Sequence, residues 1–193
     1  MVSGMETLRR LLAAGLFLMA GSAAAADPPV LAGPRPPGGW LAEARIGLAA
    51  HDPWSPEAGS ANLAGLLLFR RPFLPAHAPA ALVPLPHLGL SASLGGKTSH
   101  VHAGLTWQVE LTTRLFVEGS AGIALHDGHT GRAIPAGRVA LGCRALFREA
   151  ASVGYRLDGG WTITAGLEHL SNGGRCNANR GLTNVGMMLG YRF

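Results

Sequence analysis

His169 and Ser171, in the segment Glu168-His169-Leu170-Ser171-Asn172, are the two residues whose types and spacing could do chemistry together. In an extended strand alternate side chains share a face and each residue advances ~3.3 Å, so these two stand about 7 Å apart on one face. A hydroxyl beside an imidazole is the nucleophile and base of acyl transfer, and the pair works best with a carboxylate that holds the ring in one tautomer. The motif G-x-S-x-G is absent, so the α/β-hydrolase arrangement is not implied.

The strand that must position them runs from Trp161 to Ser171 and separates into two rows. Trp161, Ile163, Ala165, Leu167, His169 and Ser171 form an apolar row ending in the reactive pair; Thr162, Thr164, Gly166 and Glu168 form a smaller, more polar one. Apolar-out and polar-in is the pattern of a strand in a narrow transmembrane barrel. The reactive pair then faces lipid.

Arg9 and Arg10 precede the apolar run Leu11 to Ala20, and Ala24-Ala25-Ala26 precedes Asp27, so residues 1–26 read as a secretory signal peptide. After them no run approaches the roughly 18 apolar residues of a membrane helix, which leaves a closed barrel as the route through a bilayer. Residues 27–39, rich in proline, read as a periplasmic lead-in, and residues 40–193 as the barrel. With 28 Gly and only 14% charged residues, the chain spreads its hydrophobicity along its length, as a barrel does.

Trp40 to Leu48, Val101 to Leu111 and Leu115 to Leu125 alternate clearly, with apolar residues on one face. Weaker patterns cover about Ala61 to Phe73 and Leu82 to Leu94. Val139 to Leu157, Trp161 to Ser171 and Thr183 to Phe193 complete an all-β, eight-stranded antiparallel transmembrane β-barrel, whose interior side chains leave no open pore. The short turns Thr112-Thr113-Arg114 and Asp158-Gly159-Gly160 are periplasmic, and the longer Asp52 to Ser60, His126 to Gly137 and Asn172 to Leu182 are external. His169 and Ser171 therefore lie near the outer-leaflet rim. The terminal Phe193, with Tyr191, Leu189, Met187 and Val185 at two-residue steps, resembles the signal read by the outer-membrane insertion machinery.

If Leu157 pairs with Trp161 across the short turn, the register sets Glu149 opposite His169, as the single charged residue on the outward row of strand six. A carboxylate facing lipid is costly unless partnered. Glu149 is thereby the candidate acid, unless a one-residue bulge turns it inward to pair with Arg148 or Arg144. The same register sets Cys143 opposite Arg175, one residue from Cys176, so a Cys143–Cys176 disulfide is expected in this oxidising compartment, against the alternative of two free thiols.

His169-Leu170-Ser171-Asn172-Gly173-Gly174, then Asn179-Arg180-Gly181-Leu182 and the closing Gly190-Tyr191-Arg192-Phe193, resemble the end of the lipid A 3-O-deacylases (PagL). The resemblance implies calcium-independent hydrolysis of an ester-linked acyl chain of lipid A, with no cofactor. It makes Ser171 the nucleophile and His169 the base, with Asn172 and the N–H groups near Gly173 at an oxyanion hole and Asn179 and Gly181 shaping the site. The family glutamate would fall where this chain has Thr183, which carries no charge. Glu149 replaces it, or the pair works weakly, or the chain is a non-catalytic structural or lipopolysaccharide-binding barrel. A small transport or adhesion barrel would call for a wider lumen or longer loops.

His87 and His102 fall on inward rows and read as lumen hydrogen-bonding groups; His126, Asp127 and His129 are a weak metal pattern, and no metal is expected. The net charge of +5 does not point to nucleic acid in this compartment. Lys97, Arg132, Arg175 and Arg180 fall in external loops, where they could meet lipopolysaccharide phosphates. Homodimerisation stays open.

Overall fold

The computed structural model describes residues 39–71 and 79–193. The signal-peptide reading of 1–26 and nearly all of the lead-in 27–39 lie outside the described residues. Those residues form β1 (Leu41–His51), β2 (Ser60–Phe69), β3 (Leu85–Ser93), β4 (His100–Glu110), β5 (Leu115–His126), β6 (Ala145–Arg156), β7 (Trp161–Ser171) and β8 (Leu182–Arg192). Each strand pairs antiparallel with its neighbour, and β1 pairs with β8, so the sheet closes with no free edge.

The expected alternation decides which side chains meet lipid. Ile46 and Leu48 on β1, Ile123 and Leu125 on β5 and Met187 on β8 point outward and are exposed. Trp161 packs edge-on against Tyr191, with ring centroids 5.1 Å apart, at the end with the short turns, where an aromatic girdle meets the membrane interface. The blurred run Leu66 to Leu68 resolves with Leu68 inward at 2% exposure and Leu67 outward.

The inward rows fill the lumen. Arg45 donates to both oxygens of Glu118, at 2.6 and 2.8 Å, and to Glu43 at 2.7 Å. Arg148 donates to Glu168 at 2.7 Å and to Ser120 at 3.1 Å. Pairing each buried cation with carboxylates is what lets these charges sit inside. Phe116, fully buried, lies opposite Gly154 in the β5–β6 register, and a Cβ at 154 would meet its ring at 2.1 Å; glycine there makes the room for the aromatic plug.

One strand boundary corrects the sequence reading. β6 begins at Ala145, and Val139 and Leu141, expected on its lipid-facing row, are buried at 1% and 0% exposure. They cluster with Ala124, Leu146, Leu170 and Leu182 under the external loops, with Cys143 packed against the group. Capping the open barrel end with apolar side chains removes more surface from water than a longer strand standing above the membrane would. β3 likewise starts at Leu85, after a 3-10 turn at Ala80–Leu82 and directly after Pro84, and it takes in Pro86 as its second residue.

Candidate functional site

β6, β7 and β8 carry Glu149, His169, Ser171 and Thr183 at the external end of the barrel. The β6–β7 register pairs Glu149 with His169 and Phe147 with Ser171; the β7–β8 register pairs His169 with Thr183. Glu149 is thus on the outer face beside His169, where the sequence register put it, and the inward bulge does not occur. Arg148 takes the inward position instead.

The imidazole is held from the other side. His169 Nδ1 shares a 2.8 Å hydrogen bond with Thr183 Oγ1, while Glu149 makes no hydrogen bond or ion pair among the described residues. The opposite edge of the ring faces Gly181: a Cβ built there would lie 2.8 Å from His169 Cε1 and 3.2 Å from Nε2. Gly181 directly precedes β8 and has φ +72°, so neither its backbone nor the space beside it accepts a side chain. With Nδ1 on Thr183, Nε2 is the ring nitrogen left without a hydrogen-bond partner among the described residues.

Ser171 is half-buried at the end of β7, and its hydroxyl makes no hydrogen bond among the described residues. Beside it lies the ring of Phe147, with Gly173 against the ring edge and the Arg175 guanidinium 4.9 Å from its centroid. Phe147 thus presents an apolar surface beside Ser171, with the Arg175 cation over its ring.

Asn172 is 2% exposed and its donors are already engaged. Its backbone N–H goes to Asn179 Oδ1 at 3.0 Å, and Nδ2 goes to Leu141 O at 2.9 Å and to Ala178 O. Asn172 Oδ1 accepts from Gly174 N at 2.9 Å. Asn172 and Asn179 therefore shape the loop, and Gly173 N–H is left without a partner among the described residues.

The loop after Ser171 is also tied to the one before β6. Cys143 and Cys176 form the expected disulfide, with Cα atoms 5.9 Å apart, and Arg180 N donates to Ala140 O at 3.1 Å.

Two features were not found from sequence. Asp52, directly after β1, accepts from Thr183 N at 3.0 Å through Oδ1 and donates its own N–H to Asn184 Oδ1 at 3.2 Å. Glu57, fully buried in the β1–β2 loop, accepts from Thr98 N, Thr98 Oγ1 and Val139 N, each at 3.1 Å, and bonds His51 Nε2 at 2.9 Å. Burial alone would raise its pKa, but these partners hold it down at about 2. No local sequence pattern links any of these positions.

In the lumen, His100, His102 and Glu168 bring their ligand atoms within 4.8 Å of one another, the spacing a metal ion could use. Glu168 is already engaged by Arg148 and by Asn184 Nδ2 at 2.9 Å, so the group reads first as an ion-pair network. His87 bonds Thr106 Oγ1 at 2.9 Å, and His126 Nε2 meets Cys143 O at 2.6 Å. Of the loop cations, Lys97 is committed to Gly137 O at 3.0 Å.

A closed eight-stranded barrel with a lipid-facing apolar surface and a serine and histidine at its external rim defines the class, an integral outer-membrane β-barrel. The chain belongs to the PagL family of lipid A 3-O-deacylases, a family of hydrolases whose profile matches residues 86–192. The crystal structure of the outer-membrane enzyme PagL superposes with a TM-score of 0.58 at 14% identity, covering 79% of this chain and 99% of that one. A de novo designed transmembrane β-barrel superposes at 0.52 and 10% identity, covering 80% and 96%, so this likeness is one of architecture. No curated protein matches the chain.

Proposed function

We propose that the protein is an outer-membrane esterase that removes the ester-linked acyl chain at the 3-O position of lipid A, with Ser171 as nucleophile and His169 as base. The observation that carries this reading is the orientation of one ring: Nδ1 is fixed on Thr183 and the Nε2 edge is turned to Gly181, on the lipid-facing row that ends at Ser171.

In this mechanism Ser171 Oγ attacks the ester carbonyl carbon as His169 Nε2 takes its proton. The negative oxygen of the tetrahedral intermediate is met by Gly173 N–H. His169 returns the proton to the departing sugar oxygen, and water then releases the acyl chain from Ser171 by the same steps reversed. Phe147 offers an apolar surface to the chain, and Arg175 and the exposed Arg180 are placed to meet lipid A phosphates. Substrate diffusing in the outer leaflet reaches such a site sideways, without leaving the membrane.

Mass spectrometry of lipid A incubated with refolded protein tests the reading. Loss of one hydroxyacyl chain with wild type, and none with Ser171→Ala, is the expected result. One specific observation favours a second reading, a non-catalytic barrel: an uncharged threonine fills the position of the family acid. Intact lipid A after incubation with folded wild type would establish that reading instead.

A further inference from the structure

The inward row of β4 carries His100 and His102, alternate residues on one face of the strand, and Glu168 reaches them from β7. β5 and β6 lie between those two strands in the closed order, so the three side chains meet across the lumen and not along the sheet. One ligand atom from each falls within 4.8 Å of the others.

The ion-pair network around Glu168 leaves the two histidines over. His100 is 4% exposed and His102 5%, and neither imidazole makes a hydrogen bond among the described residues. Both ring nitrogens of His100 and Nδ1 of His102 are buried without a partner. Such atoms have given up water for nothing, which is costly, and folded proteins rarely leave several of them in one place. Gly89 on β3, opposite His102 in the register, gives that ring its place: a Cβ there would lie 2.4 Å from its Cε1 and Nε2.

Glu168 supplies the charge. Arg148 holds Oε2 at 2.7 Å and Asn184 Nδ2 donates to Oε1 at 2.9 Å, which leaves Oε1 a second lone pair. His100 Nε2 stands 3.3 Å from that oxygen, a contact that becomes an ion pair only if the imidazole is protonated. Two ligands bound at ~2.0–2.1 Å to one tetrahedral ion are held about 3.3–3.4 Å apart, so this separation is the one a shared zinc requires. His102 and Glu168 also line a luminal cavity of about 110 Å³, with room for water as a further ligand.

We propose that His100, His102 and Glu168 form a binding site for one late first-row divalent ion, with zinc as its type, that ties β4 to β7 across the barrel interior. Two neutral imidazoles and one carboxylate suit zinc, nickel or copper; calcium and magnesium take oxygen ligands. A small rotation of the His102 ring completes the set. Arg148 and Asn184 act as the outer partners that fix the ligating carboxylate. The ion is held by coordination alone, on the inner face of β7, whereas His169 and Ser171 belong to the outer row. The proposal therefore stands apart from the esterase reading.

Tag-free full-length barrel, treated with chelator and refolded in detergent, is given Zn²⁺ both during and after refolding, because the ligands are buried. Free ion is removed and bound zinc is counted by elemental mass spectrometry, with heat-modifiable gel migration verifying the fold of each variant. Wild type should hold one zinc per chain, and its unfolding midpoint should rise on the order of 5–10 °C at a hundredfold excess over Kd. His102→Gln and Glu168→Gln should each lose most of the bound zinc, and His129→Ala, in the external loop, should keep it. Co²⁺ in place of zinc needs no variant: by NMR it should broaden the amide signals of His100, His102 and Glu168 first.

Folded wild type that binds no zinc overturns the proposal and leaves a proton on His100 as its link to Glu168. Full retention by folded His102→Gln, or Co²⁺ broadening centred on residues 126–129, places the ion in the loop and overturns it as well. A bound zinc that leaves the midpoint unmoved removes the tie between β4 and β7. None of these readings depends on deacylation.

Discussion

Gly181 stands against the imidazole of His169 so closely that the position of the Nε2 edge of the ring depends on a missing side chain. A Cβ there would lie 2.8 Å from His169 Cε1 and 3.3 Å from Leu170 O. Gly181→Ala must therefore push the ring off Thr183 as well as strain a left-handed backbone. Lipid A deacylation should fall at least about tenfold, since small displacements of a catalytic group cost that much or more. Heat-modifiable migration should persist, because the residue lies just outside β8.

Thr183→Glu places a carboxylate where the sequence resemblance implies an acid and where the hydrogen bond to His169 Nδ1 is already made. Direct ion pairing with the imidazolium should raise kcat severalfold. A variant slower than wild type would indicate that the threonine hydroxyl, and not a nearby charge, is what this site requires. Steady-state acyl release checks this.

The Glu57 carboxylate joins three external loops, through Thr98 of the β3–β4 connection and Val139 of the β5–β6 connection. Its pKa is lowered from 4.5 to about 2, so the folded protein binds its proton less readily than the unfolded chain. The stabilisation is fully present above pH 4.5 and is lost as the pH falls toward 2. Amide exchange at Thr98 and Val139 should accelerate over that window and be insensitive to it in Glu57→Gln. Uniform exchange in both proteins would remove the carboxylate from this role.

The Cys143–Cys176 bridge closes 33 residues of chain around β6 and β7. Chain-entropy arguments give a loop of that size roughly 3–4 kcal/mol. In Cys143→Ser with Cys176→Ser, the segment 172–181 should become open to proteolysis while the strands stay protected. The Asn172 contacts to Leu141 and Ala178 are the ones that should fail first.

Arg45→Ala would leave Glu43 and Glu118 facing each other in the lumen with their cation removed. Deleting one partner of a buried pair costs about 3–5 kcal/mol. The denaturant midpoint should fall accordingly, and Arg45→Ala with Glu118→Gln should recover part of the loss. Full additivity of the two substitutions would mean that the pair is not coupled.

Much of this was legible in the sequence because strands have a period of two and a membrane enforces it. The outward rows of β1, β4, β5, β7 and β8, the inward His87 and His102, and the face shared by His169 and Ser171 follow from alternation alone. A single tight turn at Asp158–Gly160 then fixed the β6–β7 register, and with it the opposition of Glu149 to His169 and the approach of Cys143 to Cys176.

What lay beyond the sequence is what depends on closure and on the loops. Asp52 meets Thr183 only because β1 joins β8, and the offset of that seam is set by the whole barrel, not by any local pattern. Val139 and Leu141 alternate as a strand would, yet burying them beneath the loops is worth more than extending β6 past the membrane. Which side of His169 receives its hydrogen bond was likewise decided in three dimensions. Two neighbours were equally near in register, and only Thr183 directs a hydroxyl at Nδ1.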